Sequence, residues 1–173
     1  TPVRADGAGR GVVDQEEKKP KVKVPSPLQG FYAGKLLINE PPLQVLPTLA
    51  EIIGLSEAIF LQQLHYWLVM AENNDRLGKK HNGRWWVYNS AEEWQQKNFR
   101  FWTVRTVQRI SARLRDYGLI LTENLNENTY DRTLWYTIDY SRLDTIFIAW
   151  GAYQQAIEAG EKPDKPDWAI TTK

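Results

Sequence analysis

Residues 90–120, SAEEWQQKNFRFWTVRTVQRISARLRDYGLI, decide the fold of this chain. Ser90, followed three positions later by Glu93, forms a capping box in which hydroxyl and carboxylate each satisfy an orphan amide, and it opens a helix to about Lys97. A tight turn follows. A second helix begins at Trp102 or Thr103, stops at Gly118 and enters an extended stretch over 119–122. At about 100° per residue, Val104, Val107, Ile110 and Leu114 fall on one apolar arc that must face a core. The opposite arc carries Arg105, Gln108, Arg109 and Ala112, flanked by Thr106 and Arg113. Between Lys97 and Arg115 there are six basic side chains and no acidic one, in a chain whose net charge is only +1.

That clustering suits a helix lying against phosphates and base edges. Arginine forks onto guanine, glutamine pairs with adenine, and a small alanine permits close approach. Residues near the start of such a helix reach bases, which selects Arg105, Thr106, Gln108 and Arg109 for base contacts. Arg113 and Arg115, further along, are expected at the phosphate backbone. Lys97 and Arg100 bracket the turn, another place for phosphate contacts. The other reading of the arginine face is a solvated surface paired with the glutamates of the preceding helix.

The segment 124–132, NLNENTYDR, is a polar loop long enough to be a wing between two strands. Asn124, Asn126, Asn128, Tyr130 and Arg132 are available there, with Arg132 expected at a phosphate or in a minor groove. Glu123, Glu127 and Asp131 keep the loop weakly charged, so its share of binding should be small. With about four to six phosphates neutralised, log affinity should fall against log salt with a slope of roughly −4 to −5.

Composition sets wider bounds. The 173 residues suit one domain with tails, and 42% are apolar, including eight tryptophans and eight tyrosines able to fill a small core. A pI near 7.8 excludes a uniformly basic coat, so nucleic-acid contact has to come from a local patch. Cysteine is absent, which rules out disulfides and thiolate metal sites and fits a cytoplasmic location. No apolar run approaches the roughly 18–20 residues that span a bilayer. Residues 1–24 contain no signal-peptide apolar core.

Along the chain, residues 1–28 are rich in Gly, Pro, Lys and Glu and read as a flexible arm. An edge strand is expected over 31–37, broken by Pro41-Pro42. Thr48 and Glu51 suggest a capping box for a short helix ending at Gly54, and Ser56 suggests the cap of the next. That next helix, to Ala71 or Asn73, carries the stripe Ile59, Phe60, Leu64, Trp67, Leu68 and Met70 and should be the central buried helix. Asn82-Gly83 marks a hairpin before the strand RWWVY at 84–88. Another strand is expected over 133–140. Ser141 with Asp144 suggests a last helix, apolar at Leu143, Ile146, Phe147, Trp150 and Tyr153, ending at Gly160 before a tail over 161–173. The stripe Ile146, Phe147 and Trp150 serves either a homodimer or a fold-back onto the helix at 57–70. The fold class is α+β, mainly α: a winged helix-turn-helix over 29–143, an extra C-terminal helix over 144–160, and flexible termini.

Catalysis is not expected. His65 and His81, the only histidines, lie in separate elements, and the serines read as helix caps. No GxxxxGK[ST] loop is present, so neither a metal nor a nucleotide cofactor is anticipated. Trp85, Trp86, Trp94 and Trp102 read as packing residues rather than base-stacking platforms. Trp85 and Trp86, adjacent in a strand, should face opposite sides.

The runs LPTLAEIIGLSEAIFLQQLHYWL (46–68), NGRWWVYNSAEEWQ (82–95), FWTVRTVQRISARLRDYGLI (101–120) and YDRTLWYTIDYSRL (130–143) resemble a group of winged-helix proteins of phages, prophages and mobile elements. The group includes replication-initiation and replisome-organiser proteins of the DnaD type. The resemblance implies binding of origin or other double-stranded DNA through the helix containing Arg105 and Arg109, with a helicase as a further partner in some members. Such organisers usually carry another helical C-terminal domain. Here one helix and a tail follow the wing, so helicase loading is not expected of this chain alone. The alternatives are a winged-helix adaptor or inhibitor docking on a protein or nucleoprotein complex, and a transcriptional regulator.

Overall fold

The computed structural model describes residues 42–128, 130–166 and 168. The arm over 1–28, the edge strand over 31–37 and residues 167 and 169–173 of the tail lie outside them. Pro42 onward forms a mostly helical α+β unit with a four-stranded antiparallel sheet.

Two helices open it, α1 (Pro47–Ile53) and α2 (Leu55–Asn73), with only Gly54 between them. Gly54 has φ 107° and ψ 148°, a conformation that glycine alone adopts cheaply, so one helix ends and the next begins across a single residue. The expected caps are corrected here. Pro47, with φ preset for a helix, starts α1 two residues early and places Thr48 inside the first turn; the N-cap is Leu46, without a side-chain bond. Gly54 caps α2, which places Ser56 inside its first turn.

α2 is the central helix. Ala58, Phe60, Leu61, Leu64, Leu68 and Ala71 are buried along it, while Ile59, Trp67 and Met70 are half-buried at its margins. A 3₁₀ turn (Asp75–Leu77) leads into β1 (Lys79–His81) and β2 (Arg84–Tyr88), joined at Asn82 (φ 50°) and Gly83 (φ 75°). Two consecutive positive φ angles make the primed turn whose twist matches a hairpin. Trp86 is buried and Trp85 half-buried, the expected alternation.

α3 (Ala91–Asn98) and α4 (Val104–Asp116) follow, then β3 (Ile120–Glu123), a polar loop, β4 (Trp135–Ile138) and α5 (Tyr140–Glu158). The sheet order is β1-β2-β4-β3, with Val87 opposite Tyr136 and Ile120 opposite Ile138. α5 starts earlier than expected: Asp139, directly after β4, accepts from the Arg142 N–H, so Ser141 lies within the first turn. Ile146 is its one buried residue; Leu143 and Trp150 pack against the core, and Phe147 is 59% exposed. Part of the stripe therefore packs on the core and part stays exposed. The expected tail also changes: Trp168 is buried, its ring 6.3 Å from that of Trp150. Among the described residues no helix is long and apolar enough to cross a membrane.

Candidate nucleic-acid interface

The segment between α3 and α4 is held from both sides. Ser90 and Glu93 make the full capping box, with Ser90 N–H donating to Glu93 Oε2 at 3.0 Å and Glu93 N–H to Ser90 Oγ at 3.1 Å. At the other end of α3, Gln63 Nε2 and Trp67 Nε1 each donate to Asn98 Oδ1 at 2.8 Å, tying the turn to α2. Gln95 Nε2 donates to the Trp102 carbonyl at 3.0 Å and Trp102 N–H to the Phe99 carbonyl at 2.9 Å. Beneath lies an aromatic cluster, with Phe60, Trp94 and Phe99 fully buried and the Phe99 and Trp102 rings 4.9 Å apart. Trp94 and Trp102 are packing residues, as expected.

Thr103 caps α4, its Oγ1 accepting from Thr106 N–H at 3.1 Å. Val107, Ile110, Ser111 and Leu114 are buried on one face. Arg105, Gln108 and Arg109 are exposed on another, and with Thr103 and Thr106 they bound a shallow surface recess. Among the described residues the side chains of these two arginines and the glutamine have no hydrogen bond or ion pair.

The expected phosphate contacts divide. Arg115 and Arg132 are exposed and line one recess together with Gln108, Ser111 and Tyr136, so the loop brings Arg132 to the α4 side. Lys97 bonds Glu93 Oε1 at 3.1 Å and lines a different cleft, with Asn126, Asp131 and Trp135. Arg100 is exposed, its Nε donating to the Gln96 carbonyl at 2.9 Å.

Arg113 is turned to the fold. Its Nη1 lies 3.2 Å from Glu57 Oε1 on α2 and its Nε donates to Tyr117 Oη at 2.8 Å. The bond to Tyr117, ahead of the charge of Glu57, raises its pKa above the ordinary arginine value. The acidic partner of α4 is thus Glu57, not a glutamate of the preceding helix; sequence spacing carries no signal for that pair.

The asparagines of the 124–134 loop, expected to be available, brace it internally. Asn126 Nδ2 donates to the carbonyls of Asp131 (3.0 Å) and Thr133 (2.8 Å), and Asn126 Oδ1 accepts from Trp135 Nε1 at 2.7 Å. Asn124 Nδ2 donates to the Asp131 carbonyl, and Asn128 Oδ1 accepts from Tyr130 N–H. Asp131 accepts from Thr133 N–H and Tyr88 Oη, and these bonds, the backbone one first, hold its carboxyl below the usual range. Tyr130 is 91% exposed at the tip.

The histidines stay apart: His65 Nδ1 lies 2.8 Å from Tyr140 Oη, and His81 Nε2 lies 3.9 Å from Glu123. No cluster of metal-ligating side chains occurs among the described residues. No family model matches the chain, and no curated protein or solved structure is significantly similar to it.

Proposed function

We propose that this chain is a non-enzymatic winged helix-turn-helix protein that binds double-stranded DNA, in replication initiation of a phage or mobile element. The order α2, β2, α3, turn, α4, β3, loop, β4, with β4 between β2 and β3, supports the winged-helix reading. The observation that carries the binding proposal is the division of arginines on α4. Arg113 is spent on Glu57 and Tyr117, whereas Arg105 and Arg109 stand exposed beside Gln108 with no side-chain partner among the described residues. Unpaired guanidinium groups next to a glutamine, on a helix whose opposite face is anchored in a core, suit a major groove. Arg115 and Arg132 extend the basic surface toward the phosphates, with Arg100 at the turn.

With Arg113 and Lys97 engaged by carboxylates, the phosphate count is lower than the sequence alone suggests. About three to four contacts give a slope of log affinity against log salt of roughly −3 to −4. Fluorescence anisotropy of the full chain on labelled duplex, titrated across salt, measures it; a flat dependence overturns the proposal. Sequencing the DNA recovered with the protein separates origin binding from operator binding, and hence replication from transcriptional control.

The exposed apolar side chains Leu46, Phe147 and Ile148 favour a second reading, in which the domain docks on a protein partner. Failure to retain DNA at low salt, with co-elution of a protein, decides for it.

A further inference from the structure

One large apolar side chain stays exposed in the chain just before α4. Phe101 sits in the turn between α3 and α4 and is 60% exposed. Its ring meets Trp102 edge-on at 4.9 Å and Phe99 edge-on at 6.3 Å. Both supports are fixed: Phe99 is fully buried, and the Trp102 backbone is bonded to Phe99 and Gln95. With more than half its surface open and no ring stacked parallel on it among the described residues, Phe101 presents a flat apolar face from a rigid base.

Its neighbours define what that face meets. Arg100 precedes it, and Arg105 and Arg109 follow on α4, all exposed, so the local surface attracts an anionic polymer. Four residues of chain span at most about 14 Å, so the backbone positions of Phe101 and Arg105 lie within a few base steps of each other. Inside a duplex, base faces are covered by their neighbours. An aromatic face gains contact only where a base is unstacked, at an end, a bubble or a single-stranded tail.

We infer that Phe101 is a stacking platform for an unpaired base, giving this protein a preference for duplex DNA that adjoins single-stranded or melted DNA. The inference rests on the DNA-binding reading above. α4 holds the duplex side through Arg105 and Arg109, and Phe101 takes the first unpaired base beyond it. The ring adds no sequence preference, because every base has a π face.

The test uses the full chain and three labelled DNAs: a blunt duplex, the same duplex with a single-stranded tail, and the same duplex with a short internal bubble. Wild type should bind the tailed or bubbled DNA about tenfold more tightly than the blunt duplex, the scale of one stacked base. Phe101→Ala should remove that excess while leaving blunt-duplex affinity within about twofold, and Phe101→Trp should keep it. A 2-aminopurine at the unpaired position should be quenched by wild type and not by Phe101→Ala. Equal wild-type affinity for all three DNAs, with Arg105→Ala/Arg109→Ala still weakening each, overturns this inference and leaves the DNA-binding proposal standing. So does a loss of blunt-duplex affinity in Phe101→Ala as large as the loss on tailed DNA. No binding to any of the three overturns both.

Discussion

Arg113 of α4 and Glu57 of α2 meet at 3.2 Å across 56 positions of sequence, and the carboxylate side chain is only 6% exposed. This pair does two things at once. It pins α4 to the central helix, and it removes one arginine from a basic surface that the sequence presents as continuous. A guanidinium facing a buried carboxylate stabilises the fold mainly because the charge would otherwise be buried alone.

Arg113→Ala should therefore act on stability. Leaving Glu57 unpaired should cost about 1–3 kcal/mol, with the solvent exposure of Arg113 keeping it at the lower end of buried pairs. Affinity for duplex DNA should change by no more than about twofold. The double variant Arg105→Ala/Arg109→Ala should do the reverse, leaving stability within about 0.5 kcal/mol and weakening DNA binding by about 1–3 kcal/mol per lost base contact. Chemical denaturation and anisotropy on the same preparations check both, and a stability loss in the double variant would contradict the assignment.

The helix caps give a second contrast. Ser90→Ala removes a full capping box and should cost about 1 kcal/mol, as should Asp139→Ala at the start of α5. Ser56→Ala and Ser141→Ala lie inside first turns and should lose no cap energy. Urea midpoints of the four variants rank them directly.

Acid should weaken the α3 box. The Ser90 N–H, then the Lys97 ammonium, hold the Glu93 carboxyl below its ordinary value of 4.5. A depressed carboxylate contributes stability that is fully present above that ordinary value and is lost as pH falls through the lower folded value. Glu93→Gln should thus have a lower Tm than wild type at neutral pH, and the gap should narrow as pH falls below 4.5. Thermal melts from pH 7 into the acid range follow it; a gap that widens toward acid contradicts the box.

Two glycines should respond oppositely to alanine. At Gly78 a Cβ would lie 2.6 Å from both the Ala71 Cβ and the Trp86 carbonyl oxygen, where the 3₁₀ turn crosses between α2 and β2. Gly78→Ala should cost about 1–3 kcal/mol through overpacking. Gly151, in α5, has open space around it, and Gly151→Ala should stabilise by about 0.5–1 kcal/mol through helix propensity. Equilibrium denaturation compares the two.

Local signals in the sequence were legible where two or three nearby residues settle a conformation. Asn82-Gly83 sets its turn through two left-handed φ angles, Ser90 and Glu93 cap α3 through bonds that stay within four residues, and the period of Val107, Ile110 and Leu114 orients α4. Thr48 and Ser56 misled because serine and threonine occupy first turns as well as caps. Pro47 and Gly54 decide the starts there, by a fixed φ in one case and a permitted positive φ in the other. Along α4 the sequence also separated the anchored face from the exposed one that carries Arg105, Gln108 and Arg109.

By itself, then, the sequence determined the main helices and strands of the described residues, their order and the amphipathic axis of α4, since these depend on contacts a few residues apart. Only the tertiary structure decided which cations are engaged and which are not. Arg113 meets a carboxylate from another helix, Arg132 is carried by a braced loop to Arg115, and Trp168 returns from the presumed tail to Trp150. It also left Phe101 outside while Phe99 and Trp102 were drawn inward, because burial depends on what folds against a side chain and not on its own apolarity.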